Sequence, residues 1–293
     1  MSDSVEQVVA AHRRAGQAFR AAGCDSFVIE AGTGEPVVLV HGLPSSSFMY
    51  RKVVAELAGR GFRALAFDLP GLGLAERPVD YDYSIDGLAR FTAAAVDELG
   101  LGRFHLVVHD AGGPIGLTMA AGMPERIASV TVTNTIFDVA GSRFPGEVVA
   151  RFTRRVPRWL ASPWVWQQMM DRACIGDRRG ISDAEVDAYR VLAVGDDGGA
   201  GYLAIMSRVH DRGSTPSTFA AAVDTTSVPY PVQILWGADD PVLRLSRFGW
   251  AALRATGLDT LEALPAKHFL HEDQAPVVAD RVARLARGAL PHE

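Results

Sequence analysis

Leu106-Val107-Val108-His109-Asp110-Ala111-Gly112-Gly113-Pro114-Ile115-Gly116 is the stretch on which the fold turns. A nearly continuous apolar run ends abruptly in a polar pair and meets glycines that open a helix. Such a run suits a strand buried on both faces of a parallel sheet. Small residues around Asp110 permit a tight strand-to-helix turn, and Gly112 is expected where a side chain would strike the neighbouring strand. Asp110 would then stand above the sheet, with the helix N-terminus favouring its anionic form. The competing reading is a plain N-cap, a position aspartate also prefers.

Working outward, the same rhythm repeats. Short β-rich runs occur at Phe27 to Glu30, Val37 to Val40, Arg63 to Phe67, Phe104 to Val108 and Ser129 to Thr133. Helical patterns lie between them, at Phe48 to Gly59, Ser84 to Leu99 and Gly112 to Met123. Alternating strands and helices predict an α/β fold with a doubly wound, mostly parallel sheet. Ahead of them, residues 4–22 carry Val5, Val8, Val9, Ala15 and Phe19 at helical spacing, which predicts one amphipathic helix.

From 138 to 225 the β-runs stop. Helical segments rich in Arg, Trp and Met follow, broken at Pro157, Pro163 and Gly176. The βα rhythm then returns with Val232 to Trp236, a helix near Phe248 to Ala255, Thr260 to Leu264 and a last helix from about 276. The expected organisation is a core of 1–137 and 226–293 with a helical lid (cap) of 138–225 inserted. Two independent domains are the alternative.

Composition narrows the function classes. The 293 residues are 48% hydrophobic and 22% charged, with a net charge of −5, the balance of a soluble globular protein. Acidic and basic residues are interspersed, so no nucleic-acid footprint is visible. No apolar stretch reaches the roughly 20 residues of a membrane helix. Cys24 and Cys174 match no metal or redox spacing and read as reduced thiols. The polar, acidic start, Met1-Ser2-Asp3-Ser4-Val5-Glu6, shows no secretory signal. The expectation is a cytoplasmic monomer or homodimer without metal or cofactor.

Two later segments weigh against Asp110 as a mere cap. Ile234-Leu235-Trp236-Gly237-Ala238-Asp239-Asp240-Pro241 ends a strand in a Gly-x-x-Asp turn, where Asp240 could lean across the sheet edge. Leu264-Pro265-Ala266-Lys267-His268-Phe269-Leu270-His271-Glu272-Asp273 places His268 in a loop after the last β-run. Ligands of open α/β sheets gather at that edge. Nucleophile, acid and histidine, each after a strand and in that order, is the arrangement of α/β-hydrolase triads. Val40-His41-Gly42-Leu43-Pro44 follows an early strand, and His41 reads as a buried structural histidine.

These pieces together resemble the α/β-hydrolase superfamily, in its haloalkane dehalogenase and epoxide hydrolase branch. The resemblance is carried by His41-Gly42-Leu43-Pro44, Phe48-Met49-Tyr50-Arg51-Lys52, Phe67-Asp68-Leu69-Pro70-Gly71-Leu72-Gly73, His109-Asp110-Ala111-Gly112-Gly113-Pro114, Asn134 and Lys267-His268-Phe269-Leu270-His271-Glu272-Asp273. It covers most of the core and little of the lid. It implies an Asp110 nucleophile, a His268 base held by Asp240, and backbone N–H groups of Leu43 and Ala111 as an oxyanion hole. No Gly-x-Ser-x-Gly occurs, which disfavours a serine esterase.

The sequence departs from the dehalogenase pattern at the leaving-group site. A tryptophan is expected directly after the nucleophile and a polar residue in the His-Gly-x-Pro loop; Ala111 and Leu43 stand there instead. Lid residues Trp164 and Trp166 are the candidate halide donors, and Tyr189 and Tyr202 the candidate acids for an epoxide oxygen. The expected substrate is a small to medium apolar organic molecule. Two further readings stay open: a cofactor-free Asp/His acid–base enzyme for a rearrangement or elimination, and a ligand-binding module on a hydrolase scaffold.

Overall fold

The computed structural model describes residues 4–137, 156, 157, 159, 161–208 and 220–288. Its centre is an eight-stranded sheet. The strands are β1 (Gly16–Ala21), β2 (Cys24–Ala31), β3 (Pro36–Val40), β4 (Arg63–Phe67), β5 (Phe104–Asp110), β6 (Ile127–Thr135), β7 (Val232–Gly237) and β8 (Glu262–Leu264). Their order is β1-β2-β4-β3-β5-β6-β7-β8. β1, β2 and β4 pair antiparallel, and every pairing from β4 through β8 is parallel.

The period-2 alternation of side chains sorts the apolar runs into two cores. Val38, Val40, Phe67, Leu106 and Val108 face α3 (Ile85–Glu98) and α4 (Gly112–Ala121), through Leu88, Phe91 and Ile115. Val37, Leu39, Ala66 and Val107 face the opposite way, onto Val53 and Leu57 of α2 (Arg51–Gly59) and Val278 and Val282 of a C-terminal helix, Ala275–Ala286. Burial of each large side chain contributes about 1.5–3 kcal/mol, so two covered faces make the sheet a rigid platform.

The chain leaves β3 for β4 on one side and returns to β5 on the other. The crevice outside the carboxyl ends of β3 and β5 is thus the topological switch point, where doubly wound sheets bind ligands. Leu43 follows β3 there and Asp110 ends β5.

The N-terminal segment departs from expectation. The helix α1 covers Val5–Arg14 only, and Gly16–Ala21 is a strand rather than its continuation. Ala22 (φ 47°) and Gly23 (φ 77°) form a tight turn that folds β1 back on β2. Phe19 then packs on Phe67 and Phe91, at ring-centroid distances of 6.2 and 6.3 Å. Cross-strand pairing and this aromatic contact outweigh the helical spacing of a few apolar residues.

Between β6 and β7 the described residues form helices and turns, without a strand. They are α5 (Pro163–Met169), a π-helical turn Met170–Cys174, a 3-10 turn Arg178–Gly180, α6 (Asp183–Val194) and α7 (Ala200–Arg208). The remainder of the expected 138–225 block lies outside the described residues. Ser162 and Ser182 cap α5 and α6, the latter in a capping box with Glu185. After β7 come α8 (Trp250–Thr256), α9 (Leu270–Asp273) and α10, the Ala275–Ala286 helix above. Among the described residues no helix is long and apolar enough to cross a membrane.

Candidate active site

Asp110 sits on a strained turn. Its φ is 49°, a left-handed conformation that costs a non-glycine residue roughly 1–2 kcal/mol. The chain passes directly into α4, which no side chain caps, so Asp110 is not its N-cap. A Cβ at Gly112 would lie 2.4 Å from the Val40 carbonyl oxygen, and one at Gly42 would lie 2.4 Å from the Asp110 Cβ. Only glycines let the β3 loop and the β5 turn approach this closely.

That approach gives Asp110 its partners. Its Oδ1 accepts the Leu43 backbone N–H at 2.8 Å. Its Oδ2 faces His268 Nε2 at 3.5 Å. The other ring nitrogen, Nδ1, donates to Asp240 Oδ2 at 2.8 Å. Asp240 also accepts the N–H groups of Val242 and Leu243 on Oδ1, and the Asn134 Nδ2 on Oδ2 at 2.5 Å. Asn134 completes the link by accepting the Gly237 N–H. Three residues from the ends of β5, β7 and β8 therefore converge in one chain, Asp110–His268–Asp240, all buried.

The electrostatics follow from that geometry. Burial opposes charge on His268, but Asp240 and Asp110 outweigh it and push its pKa up to about 10. Asp240 is likewise opposed by burial, yet the imidazolium and its hydrogen bonds hold it down at about 2. Asp110 is lowered from the usual carboxylate value in the same way: burial opposes ionisation, and His268 with the Leu43 N–H prevails. The resting site is an imidazolium between two carboxylates.

Behind His268 lies a neutral histidine pair. The Thr133 hydroxyl donates to the Val108 carbonyl, so its lone pairs accept from His109 Nδ1 and His271 Nε2. Burial lowers both rings, His271 to about 3, and the positive His268 lowers them further. The His109 ring packs on His268 with centroids 4.8 Å apart. His41 is buried too, accepting the Leu69 N–H on Nε2 while its Nδ1 meets the Gly42 carbonyl.

The aromatic candidates of the helical segment are placed differently from one another. Trp164 is 70% exposed. Trp166 is 3% exposed, and its indole nitrogen has no hydrogen-bond partner among the described residues. Tyr189 is buried on α6, its hydroxyl donating to Glu272 within a cluster that adds Arg51, Lys52 and Glu185. Tyr202, half-buried on α7, has its pKa raised by burial and by the charge of Asp110. Ala111 opens onto α4 immediately after Asp110. Asn134 was visible in the sequence as a polar residue near the end of an apolar strand, but its grip on Asp240 depends on β6 and β7 being neighbours. Among the described residues no cluster of three or more His, Cys, Asp or Glu is placed to hold a metal ion.

Residues 35–275 match the family model of the alpha/beta hydrolase fold. The chain belongs to that family. Haloalkane dehalogenase 2 of Mycobacterium tuberculosis is 32% identical over 264 residues, spanning 87% of this chain and 87% of that protein. Among solved structures, an epoxide hydrolase from Vigna radiata superimposes with a TM-score of 0.72 at 20% identity, over 93% of this chain and 98% of that one. The enol-lactonase from Burkholderia xenovorans LB400 gives 0.74 at 20% identity, over 92% and 100%. The structural likenesses show the fold. The chain is an α/β hydrolase similar in sequence to haloalkane dehalogenases.

Proposed function

We propose that this protein is a hydrolase in which Asp110 attacks an electrophilic sp³ carbon and forms an alkyl-enzyme ester. The observation that carries the reading is the division of labour on one carboxylate: Oδ1 is held by the Leu43 N–H, whereas Oδ2 faces His268. The free oxygen attacks, the carbon–oxygen bond forms, and the leaving group departs with the electrons of its own bond. Once Asp110 is esterified, the imidazolium releases its proton to solvent. The neutral His268 Nε2 then takes a proton from water as the water oxygen adds to the Asp110 carbonyl carbon. The oxyanion forms on Oδ1, where the Leu43 and Ala111 N–H groups receive it. Each such donor contributes roughly 3 kcal/mol in comparable sites. Collapse returns that proton to the departing alcohol oxygen. The Asp110 carboxylic acid then gives its own proton to His268, which restores the resting carboxylate and imidazolium.

The charge balance supports this sequence of events. In the resting site both carboxylates hold the proton on His268. Esterification neutralises Asp110, so the histidine's proton affinity falls at the stage where a base is needed. The helical segment between β6 and β7 is the lid over this edge, and the substrate is a small to medium apolar molecule.

For the leaving group, Tyr202 favours epoxide-type chemistry. It is an O–H donor within the field of Asp110, kept protonated by burial and by that charge. Ala111 and Leu43 have no side-chain donor for a halide, and Trp164 faces solvent.

A single turnover in ¹⁸O-water tests the reading, with enzyme in excess over substrate. The product is expected to carry the ordinary oxygen of Asp110, and the peptide containing Asp110 to gain ¹⁸O. Label in the product alone would mean that water attacks the substrate directly.

A further inference from the structure

We propose that Asp273 is a positioning residue for His268, clasping the base loop to the helical insertion. The proposal rests on the reading of Asp110 and His268 given above. Asp273 ends α9, five residues after the histidine. Its Oδ1 accepts the N–H groups of Gly176 and Asp177 at 3.1 and 3.0 Å, and its Oδ2 accepts those of Gly176 and Lys267 at 2.9 and 3.3 Å. One carboxylate thus joins the turn after the π-helical segment to the residue immediately before His268.

The same seam holds the loop by its backbone. Phe269 N–H donates to the Cys174 carbonyl at 2.8 Å, and His268 N–H to the Ala173 carbonyl at 3.4 Å. Lys267 Nζ donates to the Asp171 carbonyl at 2.5 Å. Residues 267, 268 and 269 each take a partner from 171–177, so the insertion supports the base as well as covering the site. Asp240 fixes one nitrogen of the ring, and this seam fixes the loop that carries the ring. Asp110 draws its own backbone geometry from the β5–α4 turn, and its Oδ1 is held by the Leu43 N–H rather than by the seam.

The consequence is specific to one step. His268 acts in ester hydrolysis, whereas the attack by Asp110 needs no base. Loosening the clasp therefore slows the second step and spares the first. Gly176 offers an independent way to disturb it, because a Cβ there would come within 2.8 Å of Asp273 Oδ2.

The experiment uses the full chain as Asp273→Asn, Gly176→Ala and His268→Phe, with 1-bromobutane and styrene oxide as probes, quenched rapidly and read by intact mass. In the first two variants ester formation is expected to stay within about threefold of the parent. Ester hydrolysis is expected to slow by about tenfold to a hundredfold, as small misplacements of reacting groups do. In steady state kcat and KM fall together, a split that partial loss of folded protein does not produce. Hydrolysis at the parent rate, or equal slowing of both steps, overturns the positioning role. If Asp273→Asn fails to fold, Gly176→Ala is judged by the same criteria. Absence of any adduct on His268→Phe overturns the Asp110 reading and this proposal with it; an adduct there, with unaltered clasp variants, overturns the clasp alone.

Discussion

Asp110→Ala is expected to abolish turnover, lowering kcat by at least about 10⁴-fold, because it removes the group that forms the ester. The other carboxylate on His268, Asp240, lies on the far side of the ring and already accepts from His268, Asn134, Val242 and Leu243. The alanine keeps the Cβ and adopts the same left-handed turn, so the fold should survive, checked by far-ultraviolet circular dichroism. His268 loses one of its two carboxylates, and its pKa should fall from about 10. Imidazole proton resonances followed by NMR titration measure that fall directly. Residual turnover within tenfold of the parent, in protein shown to be folded, would remove Asp110 from the mechanism.

Asp240→Asn is expected to produce the other large effect, and on a different step. Asp240 is an acceptor for four donors, two on each oxygen. An amide replaces one accepting oxygen with an NH₂ group, so either the backbone N–H pair or the His268–Asn134 pair then faces a donor. Ester formation should continue, because Asp110 keeps its charge and its Leu43 contact. Ester hydrolysis should fall by about 10³–10⁴-fold, the scale seen when a triad histidine loses its orienting carboxylate. Stability should drop as well, by about 3–5 kcal/mol, since a buried ion pair is broken from one side. Stopped-flow kinetics would show a burst equal to the enzyme concentration followed by a very slow phase. A proportional loss of both phases would place Asp240 in structural support instead.

Much of this site was legible in the sequence because strand ends announce themselves. Val108 followed by His109-Asp110, Trp236 followed by Gly237, and Leu264 followed by Pro265 each mark an apolar run giving way to polar or turn residues. In a parallel sheet those breaks share one edge, so residues 130 positions apart in the chain were readable as neighbours. The pairing of β6 with β7 was not readable, and the Asn134–Asp240 bond depends on it. The strand Gly16–Ala21 was misread as helix because Ala15 and Phe19 fit helical spacing, while the Ala22-Gly23 turn gave a weak signal. Tyr189 shows the limit for aromatic residues in the insertion: spacing places it on a helix, but only packing reveals that its hydroxyl is held by Glu272. Long-range ion clusters such as Arg51–Glu272–Glu185 carry no local pattern, since each member looks like an ordinary charged surface residue.

The measurement that tests the central claim most directly is intact-protein mass spectrometry of His268→Phe after incubation with a mixed panel of haloalkanes and epoxides. The variant keeps the Asp110 nucleophile and removes the base that hydrolyses its ester. The account predicts a stable adduct on the peptide containing Asp110: an alkyl mass if a halide leaves, a hydroxyalkyl mass if an epoxide opens. An unmodified His268→Phe protein that has nonetheless consumed substrate, or an adduct mapping to a residue other than Asp110, would contradict it.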